Sequence, residues 1–149
     1  MIRSVLFVCT GNICRSPTAE GVLRGLAERE RLQVRVESRA THDYHVGEAP
    51  DERAQQHALR RGYDLRAQRA KQVARRDFDE FDLIVAMDRG HLRMLERLAL
   101  PEQRRKLRLL LPGRDVPDPY YGGADGFEEV LDLVEAACRS LVQEIKATF

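Results

Sequence analysis

A thiol, a glycine and a guanidinium stand close together in the run Cys9-Thr10-Gly11-Asn12-Ile13-Cys14-Arg15-Ser16-Pro17. The segment before it, Val5-Leu6-Phe7-Val8, is apolar and rich in β-formers. Behind it, Ser16 as N-cap and Pro17 at the first helical position predict the start of a helix. A strand that enters a helix through so short a loop aims several backbone N–H groups at one point, where the helix dipole adds to them and an oxyanion binds well. A thiol at that point ionises readily and becomes a nucleophile. A guanidinium beside it offers two parallel donors to a tetrahedral dianion. These residue types point to a thiolate attacking phosphorus, with Cys9 as nucleophile and Arg15 as clamp. Thr10, Gly11, Asn12, Ile13, Cys14, Arg15 and Ser16 form the expected phosphate-binding loop.

The Cys-to-Arg spacing alone is weak evidence in a chain so rich in Arg. Its context is what singles it out. Cys14 and Cys138 have Glu20 and Glu144 at the same offset, which fits no anion cradle. Only Cys9 ends an apolar strand and precedes a helix signal. Gly11 lets backbone approach a ligand closely, and Asn12, the one Asn of the chain, tolerates a left-handed conformation.

The elements that must position this loop follow from periodicity. Ala19, Val22, Leu23, Leu26 and Ala27 recur at helical spacing, which predicts a helix from about Pro17 to Arg31. Gln33–Ser38 alternates and reads as a second strand, making a right-handed parallel βαβ unit. Pro50–Arg61 is a helix with acids at its positive end, ended by Gly62. Ala67–Arg76 reads as a short helix or turn with a solvated basic face. Phe81–Met87 is a buried third strand, and Asp88 caps a helix with the stripe Leu92, Leu95, Leu98 and Ala99, closed by Pro101. Lys106–Leu111 is the fourth strand, Pro112–Gly123 a loop, and Phe127, Val130, Leu131, Val134, Cys138, Leu141 and Ile145 mark a long last helix with Cys138 in the core. The expected fold is one doubly wound, flavodoxin-like α/β domain over residues 1–149, with four parallel strands and helices on both faces. Ligands of such folds sit beyond the carboxyl ends of the strands. Cys9 ends the first strand and Asp118 follows the fourth, so both belong at that edge.

Composition narrows the partners. The 149 residues carry 25 Lys and Arg against 24 Asp and Glu, a net charge of +1, so no global field draws the chain to nucleic acid or a membrane. No leader segment and no membrane-length apolar run is read. Three cysteines form no disulfide framework and suit a reducing cytoplasm. Cys9 and Cys14 lack metal-ligand spacing with any His, so no metal and no cofactor is expected.

The run Cys9 to Ser16, Cys-x5-Arg-Ser near the N-terminus, resembles the signature of the low-molecular-weight protein tyrosine phosphatases. Asp118-Pro119-Tyr120-Tyr121 is similar to the acid loop of that family, and the chain length agrees. The resemblance implies a phosphocysteine intermediate on Cys9 and Asp118 as general acid. Pro117 and Pro119 stiffen the backbone of Asp118, whereas Asp115, the competing acid, lacks the following Pro-Tyr. The resemblance also places one cleft wall at Thr41–Gly47, with Tyr44 where many members carry Trp. Tyr44 and Tyr120 then sandwich a phenyl ring and Tyr121 supports them. His42 and His45, without a carboxylate at a motif spacing, read as solvated loop residues. In some members a His supports the cradle from behind; Gln68 stands at the matching position here. Ser16 serves either as N-cap or as a donor to the Cys9 sulfur. Cys14 either fills space behind the loop or, as the resemblance suggests, pairs reversibly with Cys9.

The implied substrate is a phosphotyrosine-bearing protein, handled by a monomer or weak homodimer. Related arginine phosphatases carry Thr where Ile13 stands, and Ile13 resembles the tyrosine-directed branch. Thioredoxin-linked arsenate reductases share the cradle but need two further cysteines, and residues 82–89 contain none.

Overall fold

Strand β1, Ser4–Cys9, is buried at every position, and its side chains alternate between two separate cores. Val5, Phe7 and Cys9 enter the larger, Leu6 and Val8 the smaller. Only a central strand of a sheet covered on both faces shows that pattern. In the computed structural model, which describes residues 1–149, β1 pairs in parallel with β2 (Arg35–Ala40) on one side and β3 (Leu83–Ala86) on the other. Strand β4 (Leu107–Leu109) pairs in parallel with β3 and completes the order β2-β1-β3-β4. The four-stranded parallel α/β sheet expected from the sequence is therefore the observed one.

Helices cover both faces. The larger core is closed by α1 (Arg15–Arg29), α2 (Glu52–Arg60) and α5 (Ala124–Ala147). The smaller is closed by Phe78 of the short α3 (Asp77–Glu80) and by Leu95 of α4 (Arg89–Leu98) with Ala99. Cys138 of α5 is fully buried against α1, and burial pushes its thiol pKa upward, as suits a core residue. No helix is long and apolar enough to cross a membrane.

Several boundaries differ from the sequence reading. Ser16 is not the N-cap of α1: that position belongs to Cys14, and no side chain caps the helix there. The Ser16 hydroxyl is engaged by Cys9 and Asn12 instead. Strand β2 starts two residues late and runs on to Ala40, because its pairing with β1 continues to Cys9 opposite Ala40. The buried polar residue Arg39, just past Ser38, hid that continuation. Residues 67–76 form no helix. Gln72 bridges Ala40 in parallel, with Ala40 N–H donating to Lys71 O (2.7 Å) and Val73 N–H to Ala40 O (2.8 Å). Pairing at the open edge of β2 outweighs local helix propensity there. Leu98 is exposed, so the inner stripe of α4 is His91, Leu95 and Ala99. Between Pro101 and Lys106 the chain winds a 3₁₀ helix that takes Lys106 from the expected strand, and Leu111 turns back to bridge Arg114, so β4 has three residues.

Gly21 shows how closely α1 is approached: a Cβ there would lie 2.2 Å from Cδ2 of Leu65, itself 1% exposed. Gly21→Ala gains about 1 kcal/mol of helix propensity but loses about 1–3 kcal/mol to overpacking. The expected result is a lower urea midpoint; an unchanged or raised midpoint would mean that Leu65 yields freely.

Candidate active site

The loop between β1 and α1 turns on Asn12, whose φ of 58° lies in the left-handed region. Three hydrogen bonds hold it there. Its Nδ2 donates to Ser16 Oγ (2.8 Å) and Ser38 Oγ (2.8 Å), and its Oδ1 accepts from Lys71 N–H (3.1 Å). Ser38 donates in turn to buried Glu20 (2.8 Å), whose carboxyl burial pushes up. Because Ser16 Oγ accepts from Asn12, its own hydrogen is free for Cys9 Sγ, 2.9 Å away. The Ser16 N–H lies 3.5 Å from the same sulfur. Helix α1 thus opens its unpaired first-turn amides toward Cys9.

Arg15, 5% exposed, begins α1. Its Nη1 donates to Asp88 Oδ2 (3.0 Å) and to the carbonyl of Val116 (3.0 Å). Its Nη2 stands 3.7 Å from Asp118 Oδ2, in ion-pair range. Asp118 Oδ1 accepts from Tyr120 N–H (3.0 Å), which orients the carboxyl. Val116 N–H donates to Met87 O (2.8 Å), so the loop after β4 is tied to the end of β3. Asp115 is held elsewhere: Arg89 donates to it from its backbone (3.0 Å) and its guanidinium (3.1 Å) and lowers its pKa.

Cys9, Thr10, Gly11, Ile13, Cys14, Arg15 and Asp118 line one cleft with Tyr44, His45, Tyr120 and Tyr121 at its rim. Tyr44 is stacked on His42 at 4.9 Å, and Tyr121 meets Tyr120 edge-on at 4.9 Å. Arg53 of α2 donates to the Tyr120 carbonyl (3.0 Å) and lies over its ring. The wall carrying Tyr44 is fastened to the extended 67–76 segment by Gly47 N–H to Ala70 O and Ala70 N–H to Glu48 O, both 2.8 Å. The cleft's donors are amides, hydroxyls and a guanidinium, an anion-binding set. No group of three or more His, Cys, Asp or Glu side chains is placed to hold a metal.

Of the residues singled out from the sequence, Cys9, Thr10, Gly11, Ile13, Cys14, Arg15, Tyr44, Asp118, Tyr120 and Tyr121 line this cleft, Asn12 and Ser16 lie behind it, and Asp115 and Cys138 stand away from it. His45 departs from its reading as a solvated residue. It pairs with Glu48 (2.5 Å), and a Cβ on Gly11 would lie 2.8 Å from its Cδ2, so the ring covers the cradle. Gln68 does not reach Asn12; its amide donates to Pro17 O (3.0 Å). Cys14 is a free thiol packed in the larger core, its pKa pushed up by burial and then by Asp51. The sequence reading missed Asp88 as the Arg15 partner, Ser38 and Glu20 behind Asn12, and His91, whose Nε2 lies 2.8 Å from Thr10 Oγ1. An Asp closing a buried strand was the one available signal.

Burial pushes the His91 imidazole from 6.5 down to about 4, with Asp88 opposing and Arg15 assisting. Between those values the unfolded chain binds more protons than the native one. This group's effect is therefore a stability that falls as pH drops from about 6.5 to about 4, by up to about 3 kcal/mol. Urea unfolding at pH 7, 5.5 and 4.5 should show a shallower decline in His91→Gln than in the parent. Equal declines would contradict the assignment.

The model of the family described as low molecular weight phosphotyrosine protein phosphatase matches residues 4–148. The chain is 45% identical to the low molecular weight protein-tyrosine-phosphatase of Streptomyces coelicolor, over 98% of this chain and 95% of that one. It superposes on a crystal structure of the protein tyrosine phosphatase from Entamoeba histolytica with Hepes in the active site, with a TM-score of 0.94, 34% identity and 98% of each chain covered. Vibrio vulnificus Wzb in complex with benzylphosphonate matches with a TM-score of 0.88 and 29% identity, over 97% of this chain and 99% of that one. Sequence and fold agree along nearly the full length, and the chain belongs to the low molecular weight phosphotyrosine protein phosphatase family.

Proposed function

We propose that the protein hydrolyses phosphotyrosine in protein substrates through a phosphocysteine on Cys9. In the first step the Cys9 thiolate forms a bond to phosphorus as the bond to the phenolic oxygen breaks, and Asp118 donates a proton to that oxygen. The loop amides and the Arg15 guanidinium hold the equatorial oxygens as charge redistributes. In the second step water attacks phosphorus, the Asp118 carboxylate takes its proton, the sulfur–phosphorus bond breaks, and inorganic phosphate leaves with the thiolate restored. The Ser16 hydroxyl stabilises the sulfur anion at both ends of the cycle.

The observation that carries this reading is the convergence of Cys9, Arg15 and Asp118 in one cleft, with Arg15 Nη2 3.7 Å from Asp118 Oδ2. Asp118 Oδ1 is occupied by the Tyr120 N–H, which leaves Oδ2 for proton transfer. Tyr44 and Tyr120 at the rim supply the aromatic walls for a phenyl ring. The benzylphosphonate bound by the Wzb relative is an aromatic ring on a phosphonate, which supports a substrate of that shape here. A reducing cytoplasm is the proposed setting, since there a thiol nucleophile persists.

Purified protein should hydrolyse p-nitrophenyl phosphate in the presence of EDTA, and Cys9→Ser should abolish turnover; full activity in Cys9→Ser would reject the mechanism. Asp118→Asn should slow hydrolysis by about 10²–10⁴ for poor leaving groups and less for good ones. An equal loss for all leaving groups would make Asp118 a structural residue. Phosphotyrosine should be preferred when phosphotyrosine, phosphoarginine and arsenate are compared with one preparation.

A further inference from the structure

The geometry points to His91 as a positioning residue of the cradle: its two ring nitrogens couple Thr10, the residue after Cys9, to Asp88, the carboxylate that holds Arg15. The inference rests on the reading of residues 9–15 as a phosphate cradle and adds to it a residue outside the loop.

His91 lies in the first turn of α4 and is 4% exposed. Nε2 is 2.8 Å from Thr10 Oγ1, and Nδ1 is 3.1 Å from Asp88 Oδ1. Asp88 Oδ1 also accepts the His91 backbone N–H (2.8 Å), while Oδ2 accepts from Arg15 Nη1 (3.0 Å). One carboxylate therefore serves the helix cap, the imidazole and the guanidinium. The charged and titratable groups around the ring are Asp88, Arg15, Asp118 and His42.

The proton positions follow from what each partner can do. Asp88 only accepts, so the hydrogen of the neutral ring belongs on Nδ1 beside it. That N–H is off the line to Oδ1, so this contact is electrostatic rather than an aligned hydrogen bond. Nε2 is then the acceptor, and the Thr10 hydroxyl donates to it. The hydroxyl hydrogen is turned away from the Cys9 sulfur and cannot compete with Ser16 for it. Thr10 is fixed through its backbone as well, since its carbonyl accepts from His42 N–H (3.1 Å) and the Cys9 carbonyl from Thr41 N–H (2.9 Å). Both ends of the cradle, Thr10 and Arg15, are thus registered against the same turn of α4. A histidine that merely filled the core would place neither nitrogen on the site.

The test measures kcat and KM on p-nitrophenyl phosphate, and inhibition by inorganic phosphate, for wild type, His91→Ala, His91→Gln, Thr10→Val and the double variant His91→Ala/Thr10→Val. A neutral hydrogen bond of this kind translates into a loss of about 3- to 10-fold in kcat/KM for each single variant. Inhibition by phosphate should weaken in parallel. The double variant should be no worse than the poorer single one, and His91→Gln, whose amide oxygen reaches the place of Nε2, should recover part of the loss. Unchanged kcat/KM in His91→Ala, or losses that multiply in the double variant, would overturn the role. If His91→Ala does not fold, Thr10→Val decides: full activity there overturns it equally. Failure of the underlying phosphatase reading would show separately, as turnover that survives Cys9→Ser.

Discussion

A single guanidinium, that of Arg15, joins the three loops that leave the carboxyl ends of β1, β3 and β4. It belongs to the first loop, pairs with Asp88 in the second and donates to the Val116 carbonyl in the third. Asp118 stands opposite it two residues further on. A nearly buried Arg without these partners would carry a strongly unfavourable unpaired charge. The requirement to neutralise it therefore draws the Asp118 loop and the start of α4 onto the loop after β1. These contacts fix the guanidinium, with Nη1 held by Asp88 and the Val116 carbonyl and Nη2 facing Asp118 in the cleft that both residues line.

The second constraint is the left-handed backbone at Asn12. A non-glycine residue there costs free energy unless the surroundings over-determine it. Here Ser16, Ser38 and the Lys71 amide do so, and Glu20 completes the chain. Ser16 links this network to the sulfur. The bonds that stabilise the unusual turn are thus the bonds that leave a hydroxyl hydrogen aimed at Cys9. Structure and chemistry share their parts, which explains why so small a sheet holds so well defined a cleft.

How much of this was legible in the sequence follows from the range of each interaction. The cradle was legible because its residues are contiguous and lie between a strand pattern and a helix signal. Asp118 was legible because two prolines and two tyrosines mark its loop, and the parallel order of strands placed both at one edge. What escaped was held by partners distant in the chain. Asp88 reads locally as a helix cap at the end of a buried strand, and nothing near it identifies its partner as a residue 73 positions earlier. Ser38 stands within the strand the sequence predicts, but its bonds to Asn12 and Glu20 join residues 26 and 18 positions apart. Residues 67–76 read as a short helix or turn but are captured by the free edge of β2, a tertiary effect that no local window contains. His45 read as a solvated loop residue and His91 carried no reading of its own, because the ring of His45 lies over Gly11 and that of His91 reaches Thr10, contacts with a loop distant in the chain.

The claim on which all of this rests is that the sulfur of Cys9 carries the phosphoryl group between substrate and water. It is tested most directly by acid-quenching the enzyme within milliseconds of mixing with a phosphotyrosyl peptide and locating the phosphoryl group on the digested chain by mass spectrometry. The mechanism predicts a thiophosphate on the peptide containing Cys9, which disappears as turnover proceeds. A phosphoryl group on any other side chain, or rapid phosphate release with no labelled cysteine at any time, would contradict it.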